Sequence, residues 1–222
     1  GYAFSPDGAY VVYQANTGTE TAHFSVRVSD GVIVSLYTGS VSELQITPDS
    51  VHAVLLDSGL RDLYSARLDG VTPAVRINPD FVAGGLAAAF AITPDSQLVA
   101  YRADADTDGV LELYWVPTVP SDPPTATKLN ATLPPGGDVG GFAIAPSSAF
   151  VLYLADAVVE GVFELFRAPE QITINGPITS TSTVGDARSF VVRNGRVVYT
   201  ADQDVYLQIE VYGVPADGSA PS

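Results

Sequence analysis

The sequence contains no cysteine and no methionine, and only two of its 222 residues are histidine. Without cysteine the chain cannot form a disulfide bond, a thiolate nucleophile or a cysteine-ligated zinc site. Without methionine it also lacks an initiator residue, so we expect a start generated by processing or a segment of a longer protein. The lack of oxidisable sulfur, together with many Ser, Thr, Gly and Pro residues, favours an exported protein, at the cell surface or outside the cell.

Basic residues are also scarce. Lys and Arg number 10 against 25 Asp and Glu, which gives a net charge of −15 and an isoelectric point near 4.1. We expect neither a nucleic-acid partner nor a polybasic membrane contact, because both need clustered positive charge. We also expect no membrane insertion, since no apolar run approaches the roughly 18–20 residues of a membrane helix. Apolar residues make up 46% of the chain and charged residues 16%, so this acidic protein is predicted to fold.

One short segment recurs along the chain and predicts the fold. Its copies carry Ser or Thr, then Pro and Asp, then Gly or Ser, with a weaker Ala-Pro-Ser-Ser form: residues 4–8, 46–50, 92–96 and 144–148. The prolines of successive copies are 42, 46 and 52 residues apart, and a fifth copy has Arg193, Asn194 and Gly195 at the turn. Proline fixes φ at the first corner and Asp bonds back to the backbone, so each copy predicts a tight turn.

Each turn is followed by strand-like segments in a constant order. An apolar strand, an alternating strand with an aromatic residue, a short strand and a small-residue strand lead into the next turn, and no segment has a convincing helical period. Units of about 40–50 residues with four antiparallel strands are typical of β-propeller blades. We therefore predict an all-β chain with a single β-propeller domain over residues 1–222. We expect about five blades of four strands each, at residues 1–39, 40–82, 83–135, 136–184 and 185–222.

The last predicted blade is incomplete, because no clear fourth strand follows the segment at residues 210–214. A propeller normally closes its ring so that no strand edge is exposed. Three interpretations remain open: an irregular last strand, a larger ring of roughly six to eight blades of which this chain is a part, or an edge supplied by a partner.

Three short motifs extend the pattern beyond the turns: FSPDG at residues 4–8, ELY at residues 112–114, and residues 62–70, which begin with DLY and end with LDG. With them the repeat resembles that of the TolB-like β-propellers of bacteria, blade by blade along essentially the whole chain. The resemblance implies a periplasmic or cell-surface protein, or the non-catalytic propeller of a serine peptidase. A few relatives are lyases that use histidine and metal. This chain departs from them, since His23 and His52 lie in different predicted blades.

The loop at residues 104–112 carries the sharpest local motif. Calcium takes six to eight oxygen ligands, and alternate carboxylates in a curled loop aim several oxygens at one point. The sequence predicts a structural calcium ion in this loop. Its ligands would be the carboxylates of Asp104, Asp106, Asp108 and Glu112 and the backbone carbonyl of Val110. The alternative is an Asx-type hairpin turn with solvated acids, because the first and last acids recur in other blades without the full cluster. The last acid is ninth in the loop, unlike the twelfth-position Glu of an EF-hand.

We predict no catalytic residue. The sequence has no Gly-x-Ser-x-Gly motif, phosphate loop or dinucleotide motif, and His23 and His52 lie in strand-like segments without suggestive neighbours. Acids are abundant, so a carboxylate pair for glycoside hydrolysis stays open. We expect a non-enzymatic, exported propeller that binds a protein partner or itself as an interaction, scaffold or surface-assembly module, with no cofactor besides calcium. The alternatives are the accessory, substrate-gating propeller of a larger hydrolase, or a lyase or glycosidase centred on the channel.

Overall fold

The computed structural model describes residues 1–16, 18, 20–168, 186–202 and 207–216, and strands form all of their regular secondary structure. In this part of the chain eighteen strands form five antiparallel sheets, so the prediction of an all-β fold is confirmed. None of the described residues belongs to a helix that could cross a membrane.

The sheets follow one another along the chain, and each is a meander of consecutive strands. Sheet 1 contains β1 (Tyr2–Phe4), β2 (Tyr10–Asn16), β3 (Thr21–Arg27) and β4 (Ile33–Thr38). Sheet 2 contains β5 (Val41–Ile46), β6 (His52–Asp57), β7 (Leu63–Arg67) and β8 (Val75–Arg76). Sheet 3 contains β9 (Ala87–Ile92), β10 (Leu98–Ala103), β11 (Glu112–Pro117) and β12 (Thr127–Lys128).

The last two sheets have three strands each among the described residues. Sheet 4 contains β13 (Val139–Ile144), β14 (Val151–Val159) and β15 (Val162–Ala168). Sheet 5 contains β16 (Ala187–Arg193), β17 (Arg196–Ala201) and β18 (Glu210–Pro215). The predicted fourth strand of the fourth blade, the boundary at residues 184 and 185 and the end of the last blade all lie outside the described residues.

Internal contacts divide the chain into two compact units. The first comprises Gly1–Tyr101 and Trp115–Thr127, and the second comprises Arg102–Tyr114 and Lys128–Ser222, so sheet 3 contributes residues to both. The prediction of a single domain over residues 1–222 stays a prediction.

Consecutive sheets pack face to face within each unit. In the first unit, Val12 and Leu36 of sheet 1 pack against Leu55 and Ala66 of sheet 2. In the second unit, leucines of sheet 4 pack against the apolar face of sheet 5, in one cluster that includes Leu152, Leu154, Leu165, Val197, Tyr199 and Ala201. Alternating side chains make this possible, because residues i and i+2 of a strand share a face.

The Pro-Asp turns have the predicted tight geometry. At residues 46–50, the N–H of Ser50 donates to the carbonyl of Thr47 at 2.8 Å, and the N–H of Thr47 donates to the carbonyl of His52 at 2.9 Å. The carboxylate of Asp49 accepts from the Thr47 hydroxyl at 2.6 Å and from the N–H of Val51 at 3.1 Å. The same set of bonds recurs in the copies at residues 4–8 and 92–96. Each turn therefore begins the second strand of its sheet with a fixed register.

Candidate functional site

The predicted calcium loop joins β10 to β11 and lies in the second unit. Asp104 is buried, and its Oδ2 accepts a hydrogen bond from the N–H of Gly109 at 3.0 Å. The N–H of Val110 donates to the carbonyl of Thr107 at 3.0 Å. Gly109 has a φ of 79°, a backbone conformation that residues other than glycine rarely adopt. The loop is thus a tight hairpin turn, which the carboxylate of Asp104 stabilises through its hydrogen bond to Gly109.

Lys128, the only lysine of the sequence, brings two of the predicted ligands together. Its Nζ lies 2.8 Å from both Oε1 and Oε2 of Glu112 and 2.7 Å from Oδ2 of Asp106. Glu112 is buried, whereas Asp106 is exposed. The ammonium therefore forms an ion pair with one buried and one exposed carboxylate at once.

Tyr114 and Asn130 complete this group, which we call the Lys128 cluster: Asp106, Glu112, Tyr114, Lys128 and Asn130. The Tyr114 hydroxyl donates to Oε2 of Glu112 at 2.9 Å, and its ring centre lies 5.7 Å from Nζ of Lys128. Oδ1 of Asn130 accepts from the N–H of Leu113 at 2.7 Å, which ties the end of the β12 segment to β11.

Burial and charge both alter the pKa values in the Lys128 cluster. Burial, and then the hydrogen bond to Glu112, raises the pKa of Tyr114, so its hydroxyl stays protonated and remains a donor. Burial alone would lower the pKa of Lys128, but hydrogen bonds and charge attraction from Asp106 and Glu112 outweigh it and raise that pKa. The cluster therefore keeps its cation and its hydroxyl donor in place beside the two carboxylates.

Sheet 2 contains an equivalent group, which points to a structural role for this pattern. Arg76 takes the place of Lys128 and lies 3.9 Å from Oδ2 of Asp62, and Asn78 accepts from the N–H of Leu63 at 2.7 Å. Tyr64 occupies the position of Tyr114. Because residues of the same kind recur one repeat earlier, we infer that the group joins the third strand of a sheet to the segment that follows it.

The structure thus brings only two of the five predicted calcium ligands together. Asp106 and Glu112 meet at Lys128, Asp104 braces the hairpin, and Asp108 is exposed in the loop. Among the residues that the structure describes, no group of three or more His, Cys, Asp or Glu side chains is placed to hold a metal ion. Calcium binding stays a prediction, and it requires Lys128 to give up its carboxylates.

A second set of hydrogen-bonded carboxylates in the second unit, the half-buried Asp138 and Asp186, was not predicted from the sequence. Oδ1 of Asp138 accepts from the N–H of Leu111 at 2.6 Å, and the N–H of Asp138 donates to Asp156. One repeat later, Oδ1 of Asp186 accepts from the N–H of Phe163 at 3.0 Å. The signal was present in the sequence, because Gly precedes Asp at both positions just before a first strand.

The two histidines lie in separate sheets of the first unit. His23 is 5% exposed on β3, and in the described part of the chain its Nδ1 has no hydrogen-bond partner. Burial lowers the pKa of both His23 and His52. His23 also lines a cleft of about 220 Å³ between β1 and β5, with apolar neighbours that include Val12, Val41 and Leu44.

Solved structures share the fold of this chain. The TolB protein of Agrobacterium tumefaciens is 18% identical, with a TM-score of 0.54 over 99% of this chain and 77% of that one. TolB of Acinetobacter baumannii is 15% identical, with a TM-score of 0.52 over 98% of this chain and 51% of that one. Prolyl oligopeptidase B of Galerina marginata is 13% identical, with a TM-score of 0.59 over the whole of this chain and 34% of the enzyme.

The chain matches none of the protein-family models and none of the curated proteins with which it was compared. It spans about half of the Acinetobacter TolB and a third of the peptidase. At these low identities the likeness concerns the fold and not the activity. The chain therefore has an all-β fold similar to that of TolB and of the prolyl oligopeptidase propeller.

Proposed function

We propose that this chain is a TolB-like β-propeller of about five blades, with an incomplete last blade, that acts outside the cytoplasm as a non-enzymatic module for protein interaction, scaffolding or surface assembly. The observation that carries the proposal is the likeness to two TolB structures over 98–99% of the chain. The succession of antiparallel sheets that pack face to face within each unit supports it. The composition and the resemblance to TolB support the proposed export.

The use of the carboxylates in the described residues supports a scaffold. Asp57, Asp104 and Asp156 each accept backbone N–H bonds from the hairpin that follows their strand. Glu112 is held by Lys128 and Tyr114. Acids committed to such bonds stabilise loops and strand ends, and they are poor candidates for proton transfer to a substrate.

Native mass spectrometry of the protein from its source tests this proposal. The expected result is that the protein carrying this chain is recovered alone, or in a defined complex with a second protein or with further copies of itself. The purified chain should also show no turnover of peptide, ester and glycoside substrates. Turnover that disappears with a single carboxylate or histidine substitution would overturn the non-enzymatic assignment.

The second candidate function is the accessory propeller of a larger hydrolase. The likeness to prolyl oligopeptidase B favours it, because that structure matches the whole of this chain with a third of its own length. A related likeness exists to dipeptidyl peptidase 4 of Porphyromonas gingivalis, over 98% of this chain and 44% of that one. A heavier parent chain with hydrolase activity in the native sample would establish this candidate and exclude the first.

A further inference from the structure

A cleft of about 580 Å³ lies between β13 and β16 in the second unit. This volume is within the range of small-ligand sites, which is about 300–1,000 Å³. Among the strands that the structure describes, both are at the edge of their sheets, so backbone as well as side chains forms the walls. The cleft is separate from the Lys128 cluster.

One part of the cleft is apolar and has room for a side chain. Phe142, Phe163 and Phe190 line it, and each ring is only partly buried. A Cβ on Gly140 would lie 2.9 Å from Cε1 of Phe163, so the ring rests directly on this glycine. A Cβ on Gly141 would meet nothing within 4 Å. The two glycines therefore give one position for ring packing and one open position beside it.

The other part of the cleft contains the guanidinium of Arg188, which has more N–H donors than its ion pair with Asp202 uses. The side chain of Arg188 is 45% exposed, and its Nη2 lies 3.4 Å from Oδ2 of Asp202. Asp202 is nearly fully buried and also accepts the N–H groups of Asp186 and Leu207, at 2.6 and 3.0 Å. These two backbone N–H groups supply part of the hydrogen bonding that the buried Asp202 carboxylate needs. Because a guanidinium has five N–H donors, Arg188 can present a pair of them to a second carboxylate.

A carboxylate acceptor lies close by in the chain. Asp186 also lines the cleft, two residues before Arg188, and its Oδ1 holds the N–H of Phe163. Its position suits an N–H of a ligand whose carboxylate lies on Arg188. Arg188 and Asp186 thus give the cleft an N–H donor group and a carboxylate acceptor two residues apart, which matches a ligand with donors and acceptors at neighbouring atoms.

We propose that the cleft between β13 and β16 binds an α-carboxylate next to an apolar side chain, with the carboxylate on Arg188 and the side chain among Phe142, Phe163 and Phe190. Two sources share this chemistry, namely the C-terminal residue of a polypeptide and a free apolar amino acid. This inference rests on the proposed function and deepens it, because a polypeptide C-terminus is a natural mark of a protein partner.

Calorimetric titration of the chain with three probes tests the site. The probes are the peptide acetyl-Gly-Gly-Phe with a free carboxylate, the same peptide as its C-terminal amide, and free L-phenylalanine. We expect saturable binding of the acid and at least roughly tenfold weaker binding of the amide, the effect of losing a charge-assisted hydrogen bond. Binding of phenylalanine as tight as that of the peptide would identify the free amino acid as the source. Tighter binding of the peptide would identify a polypeptide C-terminus.

Three variants make the result specific. Arg188→Gln should weaken the acid peptide roughly tenfold, whereas Arg193→Gln, an exposed arginine of the same strand outside the cleft, should leave it unchanged. Gly141→Val should abolish binding by filling the open position, and it leaves the ion pair of Arg188 with Asp202 in place. Equal affinity for acid and amide, or equal loss in Arg188→Gln and Arg193→Gln, would overturn the site. That outcome would leave the native mass and the assay for enzyme activity, which test the proposed function, unaffected.

Discussion

The backbone N–H of Asp7 donates a hydrogen bond to Oγ of Ser50 at 3.1 Å and so joins the Pro-Asp turns of sheets 1 and 2. The relationship recurs one sheet later, where the N–H of Asp49 donates to Oγ of Ser96 at 3.0 Å. Both serines have a positive φ, 62° and 66°, where glycine is less strained. The serines therefore occupy a strained backbone position and supply the hydroxyl that links successive sheets.

Two substitutions of Ser50 should distinguish the stability that its hydrogen bond to Asp7 contributes from the cost of its positive φ. We expect Ser50→Ala to lower the free energy of unfolding by about 1 kcal/mol, because it keeps the strain and loses the hydrogen bond. Ser50→Gly should cost less, because glycine adopts this φ freely and offsets the lost bond. Urea unfolding of both variants measures the difference, with exposed Ser29→Ala as the control. A larger loss in the glycine variant than in the alanine variant would contradict this account.

Loss of the only lysine should destabilise the fold in a pH-dependent way. Lys128→Met leaves buried Glu112 without its cation, and we expect a loss of about 1–3 kcal/mol at pH 7, less than for a fully buried pair because the lysine is partly exposed. The pKa of Lys128 is raised in the folded state. Its contribution is therefore complete below the unfolded value of 10.5 and is lost as the pH rises through the folded pKa.

Urea unfolding of native protein and Lys128→Met at pH 7 and at pH 11–12 checks this expectation. The difference between the two proteins should shrink at the higher pH. Adding Glu112→Gln to Lys128→Met should recover part of the lost stability, because it removes the unpaired buried charge. A difference that is the same at both pH values would show that packing of the lysine stem, and not its charge, stabilises the fold.

The Arg67–Asp69 pair should contribute at neutral pH and not in acid. Nε and Nη2 of Arg67 donate to the two carboxylate oxygens of Asp69 at 3.0 and 2.6 Å. These bonds lower the pKa of Asp69 from 3.8 to about 2. The contribution is therefore present above pH 3.8 and is lost as the pH falls through about 2. We expect Asp69→Asn to cost about 1 kcal/mol at pH 7, because the pair is partly exposed and screened by solvent.

Comparison with Asp30→Asn provides the matched control for this pair. Arg27 and Asp30 form a single contact at 3.0 Å, and both side chains are about two-fifths exposed. Thermal unfolding between pH 2 and pH 7 should show a larger and more pH-dependent loss for Asp69→Asn. Equal losses would show that the two-pronged geometry adds no stability.

The predicted calcium ion can be tested against Lys128 directly. If calcium binds the loop at residues 104–112, the melting temperature should be higher in calcium than in chelator, and Asp106→Ala should remove the difference. Lys128→Met should enlarge the difference, because it frees Asp106 and Glu112 from the ammonium. Asp122→Ala, an exposed acid outside the loop, is the control. Equal melting temperatures in calcium and chelator for both the native protein and Lys128→Met would exclude the ion.

Local patterns in the sequence predicted the all-β class, the repeat and its turns. The Pro-Asp turns depend on a φ fixed by proline and on bonds between residues a few positions apart, as the contacts of Asp49 show. The pattern predicts an apolar strand directly after the turn at residues 46–50, and β6 (His52–Asp57) follows that turn. Strand ends are set by how far neighbouring strands stay paired, and that depends on residues remote in the sequence.

The loop at residues 104–112 was found from its spacing, but the partner of its acids was not. Lys128 lies 16 residues from Glu112, and nothing in the spacing shows that their strands meet. In the same way, Gly141 and Arg188 enter one cleft only because sheets 4 and 5 pack face to face. The sequence by itself determined the strands and turns, since these follow from backbone preferences and alternation within a few residues. The tertiary structure alone decided the ion pairs of Lys128 and the cleft, because strand pairing and sheet packing bring distant residues within a few ångströms.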